Sequence, residues 1–167
     1  MLQVELCRLA GLPDLNQTHW FVRFTLKNWV LDTVKAYGFD AIRVDTVPEV
    51  TKDFWAEYCQ SAGVYSIGEV FNGNQHYVAG YQGALSALFN YPMFYRLNDV
   101  FMWKQSMYKI REGIKNNGDA FHDTSILGNF LDNHDNPRFL SGNRDWTVLK
   151  NGLAYVIFAE VYKDLQC

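Results

Sequence analysis

The chain has 167 residues, 49% of them apolar and 16% aromatic, which is enough to bury a core and too hydrophobic for a disordered segment. Its net charge of -3 and the scatter of its fifteen Lys and Arg residues leave no basic face for nucleic acid or anionic lipid. No uninterrupted apolar run reaches the roughly twenty residues a membrane-spanning helix needs, so no such helix is expected.

The first residues, Met1 to Arg8, place Glu5 and Arg8 where a secretory leader would need its apolar stretch, and no leader is expected in them. Val22, Leu26, Trp29, Val30, Val34 and Tyr37 then recur at helical spacing, with Gly38 where a left-handed cap would sit. Ala41-Ile42-Arg43-Val44 reads as a buried strand that delivers Asp45 at its C-terminal end. The pattern repeats: Phe54, Trp55, Tyr58, Cys59 and Ala62 mark a helix face, Gly63 stops it, and Val64 to Ile67 forms a strand ending on Gly68-Glu69. Ala84 to Phe89 is a third strand, closed by Asn90-Tyr91-Pro92. Trp103, Met107, Ile110 and Ile114 mark another helix with Gly118 after it. Ile126 to Leu131 is a fourth strand ending on Asp132-Asn133-His134-Asp135, and Val148, Leu149, Leu153, Val156 and Ile157 form a last helix to about Ala159. Helices alternating with short buried strands imply a parallel sheet in one globular domain.

Cys7, Cys59 and Cys167 are widely spaced, with no CxxC pair, and read as buried or incidental thiols. Asn16-Gln17-Thr18 fits a glycosylation sequon, a pattern too common to carry weight.

Three strands end on acids. In parallel α/β folds the C-terminal strand ends converge on one rim, so Asp45, Glu69 and Asp135 are expected to share a pocket. Arg43, two residues before Asp45, lies on the same face of its strand and can hold that carboxylate ionised. An ionised carboxylate beside a protonated one is the apparatus of glycosidic cleavage, with crowding raising the pKa of one and Arg43 lowering that of the other. Trp55, Phe71, Tyr77, Tyr81, Tyr91 and Phe139 offer faces on which sugar rings could stack. On composition and spacing alone, a catalytic rim and a metal-binding or structural cluster stand as equal readings.

The segments themselves carry more. Gly38-Phe39-Asp40-Ala41-Ile42-Arg43-Val44-Asp45-Thr46-Val47 resembles the strand-four signature of the α-amylase family of glycoside hydrolases. Val64 to Val70 resembles its strand-five signature, Leu131 to Phe139 its strand-seven signature, and Leu12-Pro13-Asp14-Leu15-Asn16 a further short segment that supplies calcium. All four occur in the family's order, and the likeness runs from about Leu9 to Glu160; the connecting text, including Lys52-Asp53-Phe54-Trp55 and Leu88-Phe89-Asn90-Tyr91-Pro92, is also similar to fungal-type and protist α-amylases.

That resemblance implies Asp45 as nucleophile, Glu69 as general acid/base and Asp135 as transition-state stabiliser, with Arg43 and His134 contacting substrate. It implies an α-1,4-glucan such as starch or glycogen, cleaved with retention by a secreted, monomeric enzyme. It also implies a structural calcium held by Asp14 and the backbone carbonyl of Glu49. Pro48-Glu49 stands where many relatives have Lys-His, and Pro48 cannot replace the ammonium group that contacts sugar beyond the cleavage point.

The implied fold is a TIM (β/α)8 barrel, which takes about 250 residues. Residues 1–160 are therefore expected to be an incomplete barrel, from the end of unit three through the helix of unit seven, with an unrelated tail at 161–167. Such a piece is expected to be weakly active or inactive. Two rival readings are a noncatalytic carbohydrate-binding or accessory relative and a truncated gene product.

Overall fold

The computed structural model describes Glu5 and residues 11–159, so Cys7, Cys167 and the tail expected at 161–167 lie outside the described residues. These form two compact units, one of residues up to Phe71 with Tyr81–Leu88, the other of Asn72–Gly80 with Phe89 onward.

Among the described residues the first unit holds α1 (Trp20–Tyr37), followed by β1 (Ala41–Val44), a 3-10 turn at Val47–Glu49, α2 (Lys52–Ala62) and β2 (Tyr65–Gly68). Both helices end as the glycine spacing predicts. Gly38 and Gly63 adopt φ of 65° and 68°, a left-handed turn that L side chains resist, and return their N–H groups to Val34 and Cys59. α1 buries Val30 and Val34 against Ala62, with Ile42, Tyr58 and Val64 packed around them. Across this seam Arg23 pairs with Glu57 and Asp53, and Lys27 with Glu57.

β1 and β2 run parallel, with Ala41 opposite Tyr65 and Val44 opposite Gly68. β3 (Ala87–Phe89) continues the sheet through Ala87 opposite Ile67 and Leu88 opposite Gly68. Val44 and Gly68 therefore end their strands at one level, and the residues that follow them, Asp45 and Glu69, emerge at the same end of the sheet. Gly68 is there for space: a Cβ on it would fall 2.9 Å from methyl groups of Leu85 and Val47. β3 is shorter than the expected Ala84–Phe89, because the chain turns at Gly83, φ 96°, with the Ala84 N–H bonded to Tyr81 O, and Leu85 makes only an isolated bridge before the strand begins at Ala87.

The second unit holds α3 (Gln75–Ala79), α4 (Tyr91–Leu97) with a π-helical turn at Asn98–Met102, α5 (Tyr108–Ala120), β4 (Leu127–Gly128), α6 (Phe139–Gly142) and α7 (Trp146–Phe158). Its core joins Met93, Leu97, Val100, Met102, Ile110, Leu131 and Phe139. Three expectations change here. Asn90-Tyr91-Pro92 starts α4 instead of merely closing a strand: the Asn90 side chain caps the Met93 N–H at 3.2 Å, and Pro92 sits in the first turn, where a missing N–H costs nothing. Gly118 lies inside α5, which runs on to Ala120, and Trp103 and Met107 precede that helix. β4 keeps only two of the six residues expected at 126–131. Asparagines replace the longer ladder, with the Asn90 N–H donating to Gly128 O, its side-chain amide to Asn129 Oδ1, and Asn117 to Asn90 Oδ1.

Candidate active site

Asp45 follows β1 directly, and the chain then makes an unusual turn. Thr46 adopts φ 51°, a left-handed conformation that a β-branched residue enters only at a cost, and Val47-Pro48-Glu49 follow as a 3-10 turn. Pro48 fits that turn because its ring fixes φ near the helical value. Two backbone bonds hold the turn to β2: Glu69 N–H to Val44 O at 2.8 Å, and Val47 N–H to Glu69 O at 3.0 Å. The Trp55 indole N–H caps the Val47 carbonyl at 2.8 Å.

The strained turn has a visible product. The Thr46 backbone N–H points at Glu69 Oε2, 3.3 Å away, while its hydroxyl donates to Asp45 Oδ2 at 3.0 Å. Arg43 joins the same pair from the strand: one guanidinium nitrogen bonds Asp45 Oδ1 and the other lies 3.2 Å from Glu69 Oε1. A planar fork with two outward nitrogens is the side chain suited to bridging two carboxylates. The acids differ in setting, with Glu69 recessed at 6% exposure and Asp45 open at its side chain. Partial burial pushes the Asp45 pKa up, but hydrogen bonds from Arg43 and Thr46, the Arg43 charge and a bond with Glu69 together hold it below the ordinary 3.8. A cavity of about 480 Å³ reaches Arg43 and Asp45, walled by Trp29, Phe39, Trp55 and Tyr58.

His134 and Asp135 lie in the second unit, in the loop between β4 and α6, with His134 Nε2 3.2 Å from Asp135 Oδ2. Asp132 ties the far end of that loop, accepting from Arg138 and from the Phe139 N–H at 2.9 and 2.8 Å. Tyr81, Tyr91 and Phe139, three of the expected stacking faces, are core side chains at 4%, 1% and 1% exposure and present no face to a ligand, whereas Phe71 is half exposed.

Asp14 is exposed, accepts a bond from Gln17 at 3.1 Å and lines a cleft with Glu5, Asn16 and Thr51. Glu49 ends the 3-10 turn, its N–H bonded to Thr46 O. Among the described residues no three His, Cys, Asp or Glu side chains converge on a point a metal could occupy, so side-chain donors do not assemble a complete calcium shell. Thr46 is the residue that sequence reasoning missed. A Thr after a strand-end Asp carries no pattern of its own, and its role depends on a backbone angle no spacing reveals.

A family model described as "Alpha amylase, catalytic domain" matches residues 6–161. Alpha-amylase 1 of Lipomyces kononenkoae is 36% identical over 162 residues, which cover 94% of this chain and 26% of that protein. The alpha-amylase of Saccharomycopsis fibuligera is 33% identical over 90% of this chain and 31% of its own length. Among solved structures, the alpha-amylase of Malbranchea cinnamomea superposes with a TM-score of 0.89 at 34% identity, over 94% of this chain and 34% of that one. The chain thus spans about a quarter to a third of these relatives, and its parallel strands and helices fit part of an alpha-amylase TIM barrel. With matches covering most of its length at this identity, the chain belongs to the alpha-amylase family of glycoside hydrolases.

Proposed function

We propose that this chain carries the catalytic acids of a retaining hydrolase of α-1,4-glucans, acting outside the cell as a monomer. The observation that carries the reading is the Arg43 guanidinium shared by Asp45 and Glu69, which sets two carboxylates of different exposure side by side. Asp45, open and held ionised, attacks the anomeric carbon while Glu69 gives its proton to the departing glycosidic oxygen. Glu69 then takes a proton from water, which hydrolyses the glycosyl ester on Asp45 and returns both groups to their starting states. Retention by this route needs the two carboxyl groups about 5–5.5 Å apart. In this reading Asp135, beside His134, is the carboxylate that holds the distorted sugar ring.

The paired acids favour this over a noncatalytic accessory relative, which has no use for an acid recessed behind an ionised one. Calcium enters no step. Asp14 and the Glu49 carbonyl are too few for the 6–8 oxygens the ion takes, so binding is expected to be weak. The test is release of reducing ends from soluble starch, by the chain as it stands and by the same chain completed to a closed barrel. Glu69→Gln in the completed enzyme should cost about 10²–10⁴ in rate, the usual worth of a general acid. An undiminished Glu69→Gln enzyme would remove the assignment.

A further inference from the structure

Tyr91 stands in the first turn of α4 with 1% of its surface exposed. Its ring packs edge-on against Phe94 and Phe130, centroids 5.8 and 5.0 Å away, so its position is set by the core of the second unit. The Asn133 side-chain N–H donates to the Tyr91 hydroxyl at 2.8 Å. That bond fixes which way the amide faces. Its oxygen, turned toward the loop, accepts the backbone N–H of Asp135 at 3.1 Å, the backbone N–H of Asn136 at 3.0 Å and the Asn136 side-chain amide at 2.8 Å. A primary amide can donate on one side while accepting on the other, which neither a carboxylate nor an aliphatic side chain of this size can do.

We propose that Asn133, anchored by the Tyr91 hydroxyl, is a positioning residue that sets the backbone of the loop bearing His134 and Asp135. The proposal rests on the reading of Asp135 as the carboxylate that holds the sugar ring. The loop has no helix or strand between Asp132 and Arg138, and Asp132 secures its far end. Asn133 links the near end to the packed core, so Tyr91 acts on the loop from a buried site that substrate does not reach.

The experiment compares the parent with Tyr91→Phe, Asn133→Ala, the double variant and Asp135→Asn, each made in the chain completed to a closed barrel, where hydrolysis is measurable. Amide hydrogen exchange is read by segment, and hydrolysis is read on a maltooligosaccharide carrying a fluorogenic leaving group. Tyr91→Phe should speed exchange of residues 134–136 about five- to tenfold, as loss of one hydrogen bond implies, and leave α7 unchanged. It should lower kcat about tenfold or more with KM nearly constant, since small misplacements of a reacting group act on the transition state. On this proposal the double variant should be no worse than Asn133→Ala alone, because the Tyr91 hydroxyl reaches the loop through Asn133. Additive losses, unchanged exchange at 134–136, or exchange that rises across the whole unit would overturn the proposal by showing ordinary core damage. Full hydrolysis by Tyr91→Phe where Asp135→Asn abolishes it would overturn it equally. If Asp135→Asn hydrolyses like the parent chain, the functional reading has failed instead, and the exchange pattern with the double-variant comparison decides the positioning role.

Discussion

Thr46 shows how much of a site can rest on one torsion. At φ 51° its N–H faces Glu69 and its hydroxyl faces Asp45; in an extended conformation the same residue could not serve both. The hydroxyl and Arg43 both hold the Asp45 pKa down against burial, so loss of either should raise it. In the proposed reaction Asp45 must be ionised, and activity is lost as pH falls through its pKa. Thr46→Val, which keeps the branched shape without the hydroxyl, should therefore move the acidic limb of the kcat/KM profile to higher pH, and Thr46→Ser should leave that limb in place. An unmoved limb in Thr46→Val would show that the hydroxyl does not tune Asp45. Arg43→Lys keeps the charge but offers one nitrogen where two acids need two, and it should lower kcat/KM by about tenfold or more, the worth of a charge-assisted bond.

Elements in each unit are held by different means. The seam between α1 and α2 couples a small apolar core to Arg23, Lys27 and Glu57, and hydrogen bonds from Arg23 and Lys27 pull the half-buried Glu57 carboxyl down to about 2 from an ordinary 4.5. A depressed carboxyl pKa contributes stability above its unfolded value, and that contribution disappears as pH falls through the folded one. Acid unfolding followed by circular dichroism between pH 5 and about 2 should therefore flatten in Glu57→Gln relative to the parent. In the second unit α4 runs into the π-helical turn without a break, and Leu97 at the junction is fully buried among Met93, Val100 and Ile110. Leu97→Ala should cost about 2–5 kcal/mol, measured as a shift in the denaturant midpoint at constant slope. A smaller loss would mean that the π turn relaxes to fill the space.

At the scale of the whole molecule, the paired acids and the share of relatives covered point in opposite directions. A glycosidase must grip the ring as well as cleave its bond, and this chain spans about a quarter to a third of its relatives' lengths. Hydrolysis of starch by the 167-residue chain should be at least about 100-fold slower than by the completed barrel, the cost of a loosely held reacting geometry. Equal turnover would show that closure of the barrel is not required. α1 also leaves Trp20, Phe21, Phe24, Trp29 and Tyr37 more than half exposed. Apolar surface of this kind favours association, so the apparent mass of the 167-residue chain by light scattering should rise with concentration, while that of the completed, monomeric enzyme should not.

How much could be read from residues alone follows from where the information sits. Helix period, the glycine stops at Gly38 and Gly63 and the short apolar runs at β1 and β2 are local, and with the ordered motifs they were sufficient for the parallel α/β class, the family and the pairing of Arg43 with Asp45. α4 is hidden because Asn90 and Pro92 serve equally well as a strand's end and a helix's beginning, and the bond from the Met93 N–H to Asn90 Oδ1 distinguishes the two. β4 was overestimated because an apolar run states that a segment is buried, while its hydrogen-bond partners decide whether it is a strand. The left-handed Thr46, the burial of Tyr91 and Phe139, and the orientation of the Asn133 amide were decided by tertiary contacts alone. Each depends on a neighbour distant in sequence, and torsions and hydrogen-bond directions at such contacts follow from packing rather than from any residue's own preference.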